Sequence, residues 1–113
     1  MNIQIFGIKK SFDTKKAQRF FKERRIPFQF VDLAEKPMSK GELESVLRAV
    51  GGIDAAIDPN ARDQDTVALI THLAEFQRFD TLLEHQNILR MPVVRNGRQA
   101  TVGYEPEVWK SWA

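Results

Sequence analysis

The chain contains no cysteine among its 113 residues, and that absence removes several functions at once. Without a thiol its own side chains cannot carry thiol–disulfide exchange. It cannot be stapled by disulfides, and it offers no thiolate to a metal. Histidine is scarce as well: His72 and His85 are the only two, too far apart to read as a metal pair, so no structural metal is expected. No apolar stretch approaches the ~20 residues that span a bilayer. No positively charged segment precedes the short apolar run in MNIQIFGIKK, so the reading is a cytoplasmic chain that makes no use of a membrane. Internal repeats, low-complexity tracts and interdomain linkers are also missing.

What is present describes a single folded unit. Apolar residues at 42% and charged residues at 28% are a globular balance rather than the hydrophobic-poor, charge-rich composition of a disordered chain. The length suits one domain, residues 1–113, and is too short for two. The net charge is only +2, but it is polarised: residues 1–25 carry +6 and the remainder −4. A basic segment of this kind either solvates a helix face or meets an anion such as an acidic protein surface, a phosphate or nucleic acid.

Hydrophobic periodicity orders the elements. Ile3, Ile5 and Phe6, closed by Gly7, predict a buried strand. From Asp13 the pattern changes to helical spacing at Ala17, Phe20, Phe21 and Arg24, with Lys15, Arg19 and Lys22 on another face. Pro27 ends that helix, and Phe28, Phe30 and Val31 predict a second strand. Strand, helix and strand in this span form a βαβ unit, whose strands are parallel. Ser39 and Glu42 have the spacing of a capping box, which starts a helix running to about Val50 before Gly51-Gly52 stops it. After a turn at Asp58-Pro59-Asn60, residues 64–84 carry Val67, Ile70, Leu73, Phe76, Phe79 and Leu83 at helical spacing, read as two short helices or one broken one. Met91 to Val94 and Ala100 to Val102 flank Asn96-Gly97 as a hairpin, for which Asn-Gly favours a type I′ turn. Val108, Trp109 and Trp112 close the chain with a helix. The order βαβ, helical insert (about 39–86), ββα predicts an α/β fold with a four-stranded mixed sheet flanked by helices.

The residues from Phe6 through Ala17, then Ile26-Pro27-Phe28, Pro37-Met38-Ser39, Met91-Pro92-Val93-Val94 and Val102-Gly103-Tyr104, resemble the arsenate reductase-like (ArsC/Spx-type) family of thioredoxin-like folds over nearly the whole chain. The opening motif is fairly specific, and the later pieces are informative only in this order. In that family the loop between the first strand and first helix carries a nucleophilic cysteine, and the register places Ser11 there. A cysteine at the positive end of a helix beside basic groups is activated as a thiolate. A serine hydroxyl keeps its proton, and no histidine adjoins it in sequence to act as base, so Ser11 is a poor nucleophile. Ser11 reads either as an ordinary helix cap or as a donor to a thiolate brought by a ligand such as glutathione.

The resemblance also implies a cis bond between Met91 and Pro92, with main-chain groups beside the loop that can pair with an extended peptide or glutathione. The family's arsenate-reducing members place an arginine directly before that proline, and here the position is Met91. Arg90 stands one residue earlier and Arg62 lies loosely where another basic residue occurs, so the oxyanion clamp is incomplete. Arg90, Arg95 and Arg98 read equally as hairpin surface residues. The candidate anion- or thiol-ligand group is therefore Lys9, Lys10, Ser11, Arg90, Met91 and Pro92, with Asp13 opposing an anion at the helix end.

Two functions follow as expectations. The first is a cysteine-less, non-redox member of the family that needs no cofactor and acts as a binding or regulatory module through the basic first helix at Lys15, Arg19 and Lys22. Regulatory relatives of this fold bind transcription machinery, which makes a protein the expected partner; direct nucleic-acid binding and membrane attachment are not expected. The alternative is a glutathione-dependent reductase or transferase in which the bound cosubstrate supplies the sulfur and Ser11 orients it.

Overall fold

In a computed structural model, residues 1–112 are described. Strand β1 (Ile3–Gly7) leads to α1 (Phe12–Glu23) and β2 (Phe28–Asp32). The insert follows as α2 (Lys40–Val50), α3 (Ile53–Ala56), α4 (Gln64–His72) and α5 (Glu75–Glu84), then a short 3-10 turn at Gln86–Ile88. Strands β3 (Val93–Asn96) and β4 (Gln99–Val102) and helix α6 (Pro106–Trp112) complete the order. The sheet runs β2-β1-β3-β4, with β1 parallel to β2 and the other two pairings antiparallel. This is the four-stranded mixed sheet that the sequence order predicts.

Alternation along the strands divides the interior into two cores. Ile3, Ile5 and Val94 face one side, where they meet Ala17, Phe20 and Phe21 of α1 and Trp109 of α6. Phe6 and Val93 face the other, against Leu43, Val46 and Leu47 of α2 and Ile53, Ile70 and Leu82 of the insert. The aromatic rings of the first core stack edge-on, with Phe20 and Tyr104 centred 5.3 and 5.4 Å from Trp109. Such pairs add about 1 kcal/mol each beyond the area they bury. The buried indole N–H of Trp109 donates to Thr101 Oγ1 at 2.8 Å, which satisfies the one polar atom of that ring.

Local signals account for the helix ends. Ser39 Oγ accepts from the Glu42 amide at 3.2 Å and Glu42 Oε1 accepts from the Ser39 amide at 2.9 Å, the reciprocal pair its sequence predicts. Gly51, at φ 99, closes α2 in the left-handed region that glycine tolerates. The hairpin differs from expectation. Asn96 pairs with Gln99, so the loop residues are Gly97 and Arg98 rather than Asn96 and Gly97. Only Gly97 has a positive φ (62), whereas a type I′ turn needs it at both central residues; the pattern is that of the II′ class. Two further expectations are corrected. Arg24 caps the end of α1 with its guanidinium 3.7 Å from the Phe20 ring centroid, and does not join the buried face. Arg95 is not a free surface residue: its side chain is 17% exposed and lies 3.6 Å from Glu42.

Candidate functional site

The site at the start of α1 is built by a close approach of helix to strand. Gly7 is the last residue of β1 and points toward α1, where a Cβ would lie 2.7 Å from Thr14 Cγ2 and nearer still to Thr14 Oγ1. Only glycine lets the first turn of α1 settle here without displacing a fully buried threonine. Lys9 and Lys10 form the turn between strand and helix, and Ser11 is the N-cap. The Ser11 hydroxyl oxygen accepts from the Thr14 amide at 3.1 Å, and the Ser11 carbonyl accepts from the Lys15 amide at 3.1 Å. Ser11 thus satisfies an orphan amide of the helix start.

Beside Ser11 lies a cleft of about 360 Å³ lined by Ile8, Ser11, Phe12, Asp13, Asp58, Arg62, Asn87, Leu89 and Met91. The insert supplies the far wall. Ile57 bridges Leu89 in antiparallel fashion, the Asp58 amide donates to the Ile88 carbonyl at 2.8 Å, and the Arg90 amide donates to Ala56 at 2.8 Å. That pairing brings Asp58 beside the chain leading to Met91. Asp63 caps α4 and accepts from the Thr66 amide at 3.1 Å, the Thr66 hydroxyl at 2.6 Å and the Asn87 side chain at 3.4 Å. Hydrogen bonds from Thr66, then from Asn87, and the field of His85 hold its carboxyl below the ordinary 3.8, against a smaller opposing effect of burial. This junction fixes Asn87 at the rim and Arg62 at the start of α4.

A second cleft of about 540 Å³ shares Asp13, Asp58 and Met91 with the first and adds Arg90, Gly103, Tyr104 and Glu105. Together the two hold the cations Arg62 and Arg90 among the carboxylates of Asp13, Asp58 and Glu105. A site of that balance matches a zwitterionic or mixed-charge ligand better than a multiply charged oxyanion. Asp13 also lies 3.8 Å from Lys16 and occupies the positive end of α1.

The predicted site residues divide into three groups. Ser11, Arg90 and Met91 are brought to these clefts, and the Met91-Pro92 peptide is cis, with Pro92 buried and its carbonyl accepting from Gly103 at 2.9 Å. Among the described residues no hydrogen bond engages the main-chain N–H or C=O of Met91. Lys9 and Lys10 are exposed on the turn and line neither cleft. Lys15, Arg19 and Lys22 are exposed along α1, at the spacing of one helical stripe that starts at Phe12, itself 79% exposed. Sequence reasoning missed the roles of Asp58, Asn87 and Glu105. Asp58 showed only as a turn residue, and Asn87 carried no signal at all. Among the described residues no cluster of three potential metal ligands occurs, and no helix is long and apolar enough to cross a membrane.

Comparison with known proteins agrees with this architecture. The chain is 27% identical over 109 residues to the global transcriptional regulator Spx 2 of Oceanobacillus iheyensis, covering 95% of this chain and 80% of that protein. It is 23% identical over 119 residues to the uncharacterised protein YusI of Bacillus subtilis, covering the whole of both. Among solved structures, an arsenate reductase from Vibrio cholerae superposes with a TM-score of 0.83 at 20% identity, over 98% of this chain and 97% of that one. An ArsC family related protein from Bacteroides fragilis superposes with a TM-score of 0.85 at 15% identity, over 100% and 98%. At those identities the structural matches establish the fold and not the activity. The model of the ArsC family matches residues 6–112, and the chain belongs to that family as a member without cysteine.

Proposed function

We propose that this protein is a non-redox member of its family that works as a binding or regulatory module, with the outer face of α1 at Lys15, Arg19 and Lys22 as its partner surface. The observation that carries the reading is the state of Ser11. Its oxygen, which the family register assigns to the nucleophile position, is engaged as the acceptor that caps α1, and a serine there holds no thiolate. His72 and His85 do not line the Ser11 cleft, so no imidazole stands there as base, and among the described residues the Ser11 hydroxyl makes no hydrogen bond to the Asp13 or Asp58 carboxylates that share the cleft. The resemblance to a protein named as a global transcriptional regulator supports a protein partner. The test is capture of partners by the wild-type chain and by Lys15→Glu/Arg19→Glu/Lys22→Glu, followed by titration of each captured partner into isotope-labelled protein. Loss of capture by the variant, with amide shifts at the three positions, supports the surface. Undiminished binding by the variant removes it.

A second reading, in which glutathione binds beside Ser11, is favoured by one feature: the unengaged main-chain groups of Met91 next to a cleft that holds both charge signs. Arg62 and Arg90 suit the carboxylates of that tripeptide, and Asp13, Asp58 or Glu105 suits its ammonium group. Bound glutathione would supply the sulfur that the chain lacks. Amide shifts confined to Ser11, Met91 and their neighbours on adding millimolar glutathione support this reading, and an unchanged spectrum removes it.

A further inference from the structure

A groove of about 440 Å³ lies between α1 and the start of α6, next to the exposed Lys15/Arg19/Lys22 stripe and sharing Arg19 with it. Its walls present Lys16, Arg19, Arg24 and Lys110 against only two carboxylates, Glu23 and Glu107, with the Tyr104 ring between them. Glu107 is occupied by Lys110 at 3.1 Å. Among the described residues no carboxylate lies within ion-pair reach of Arg19 or Arg24, nor of Lys15 and Lys22 on the adjoining ridge. Arg24 is held in place by stacking on Phe20, 3.7 Å from the ring centroid, and by donating from Nη1 to the Phe20 carbonyl at 3.3 Å. Lys16 lies over the Tyr104 ring, 5.3 Å from its centroid, and shares its charge with Asp13 at 3.8 Å, a loose contact that leaves the side chain 56% exposed. Arg24 is therefore positioned before any ligand arrives, which lowers the ordering cost of binding. Tyr104 is 38% exposed and offers an apolar face beside them.

We infer that this groove is a docking site for an acidic polypeptide segment, one that sets separated Asp or Glu side chains on Arg19, Arg24 and Lys16 and an apolar side chain against Tyr104. The inference rests on the proposed partner surface of α1 and adds both the chemistry of the partner and its seat. Charge complementarity selects the occupant. A nucleic-acid strand would run a continuous row of phosphates past Glu23 and Glu107, where each meets like charge, whereas an acidic peptide spaces its carboxylates and leaves those positions to uncharged residues. Arg19 belongs to both the groove wall and the solvent stripe, so a segment seated in the groove continues onto Lys15 and Lys22.

The test uses the whole chain and a synthetic peptide of sequence Asp-Gln-Phe-Asp-Ser-Leu-Asp-Ser, whose acidic side chains are separated by uncharged residues. Titrated into isotope-labelled protein, it should shift the amides of Lys16, Arg19, Arg24, Tyr104 and Lys110, with an affinity that falls as salt is raised. The variant Arg19→Glu/Arg24→Glu should bind about tenfold more weakly or worse. The variant Lys9→Glu/Lys10→Glu makes the same change in net charge outside the groove and should bind as wild type does. Equal weakening by both variants would reduce the effect to bulk charge and overturn the inference. Displacement of the peptide by a single-stranded oligonucleotide of equal charge would overturn it in favour of a phosphate backbone. Shifts confined to Lys15, Arg19 and Lys22 would end the groove assignment while leaving the ridge as partner surface, and shifts at none of these residues would count against both.

Discussion

Replacing Gly7 with alanine tests whether the close approach of α1 to β1 sets the position of Ser11. The new Cβ would stand 2.7 Å from Thr14 Cγ2 and 3.1 Å from Thr14 Cβ, with Thr14 Oγ1 closer than either. Real Cβ atoms do not tolerate such distances, and Thr14 has little freedom to yield. It is β-branched, fully buried and held in the first turn of α1 by the hydrogen bond its backbone N–H donates to Ser11 Oγ. The helix start must move instead, an overpacking cost of about 1 to 3 kcal/mol. With a urea slope of about 1 to 3 kcal/mol per molar for a domain of this size, the midpoint of unfolding should fall by about 1 M. Thr14→Ala removes the two nearest atoms, Oγ1 and Cγ2, and leaves only the milder contact with Cβ at 3.1 Å. Alone it should be nearly neutral, because the lost methyl, about 1 kcal/mol, is offset by removing a buried hydroxyl that has no partner and costs a similar amount. The double variant Gly7→Ala/Thr14→Ala should therefore recover most of the stability lost by Gly7→Ala. An alanine at position 7 as stable as wild type, or a double variant no better than Gly7→Ala, would refute the packing argument.

Other changes probe the same framework. Ser11→Ala should cost about 1 kcal/mol by urea unfolding, the usual loss for an N-cap, while Ser11→Asp should hold stability; no loss in the alanine variant would detach Ser11 from the helix cap. Gln86→Leu should destabilise by about 2 to 4 kcal/mol and expose the Met38 amide to hydrogen exchange, because the buried Gln86 amide group accepts from Met38 N–H at 2.7 Å and donates to its carbonyl at 2.9 Å. Unchanged protection at Met38 would contradict this. Asp63 is held below its ordinary 3.8 chiefly by its hydrogen bonds to Thr66, so its ionised form contributes stability above that value, and the contribution disappears as pH falls through the lower folded pKa. Asp63→Asn keeps a capping acceptor and should flatten the fall of stability below about pH 4; an unaltered slope would show that Asp63 carries none of it.

The sequence made legible those features whose cause is local. The capping box at Ser39 and Glu42, the left-handed Gly51 and the βαβ opening are each written within a few neighbouring residues. The helical character of residues 64–84 is likewise visible in apolar spacing, but that spacing runs on through Leu73 and left two helices or one broken helix open; the structure breaks the run after His72. Helix α3, at four residues, is too short to show a period, and its preceding Gly52 provides no side-chain cap. The hairpin loop was displaced by one residue because strand register, fixed by Val93 opposite Val102 and by pairing with β1, outweighs the turn preference of Asn-Gly. Gln86 could not be read as a structural pin, since the main chain it holds at Met38 is 48 positions away. The same holds for the cleft. Ser11 and Met91 were recoverable from the family register, but Asp58, Asn87 and Glu105 reach the cleft walls only through the folding of the insert and the chain after β4.

The central claim, that an oxygen-bearing cap has replaced the family's electron-carrying sulfur, is tested most directly by following reduction of a small-molecule disulfide and of arsenate with purified wild-type chain from which every added thiol has been removed. No turnover above the protein-free background is expected for either acceptor. Because no external reductant is present, the contradicting result is a stoichiometric one: about one equivalent of thiol released from the disulfide per chain, a release abolished by Ser11→Ala.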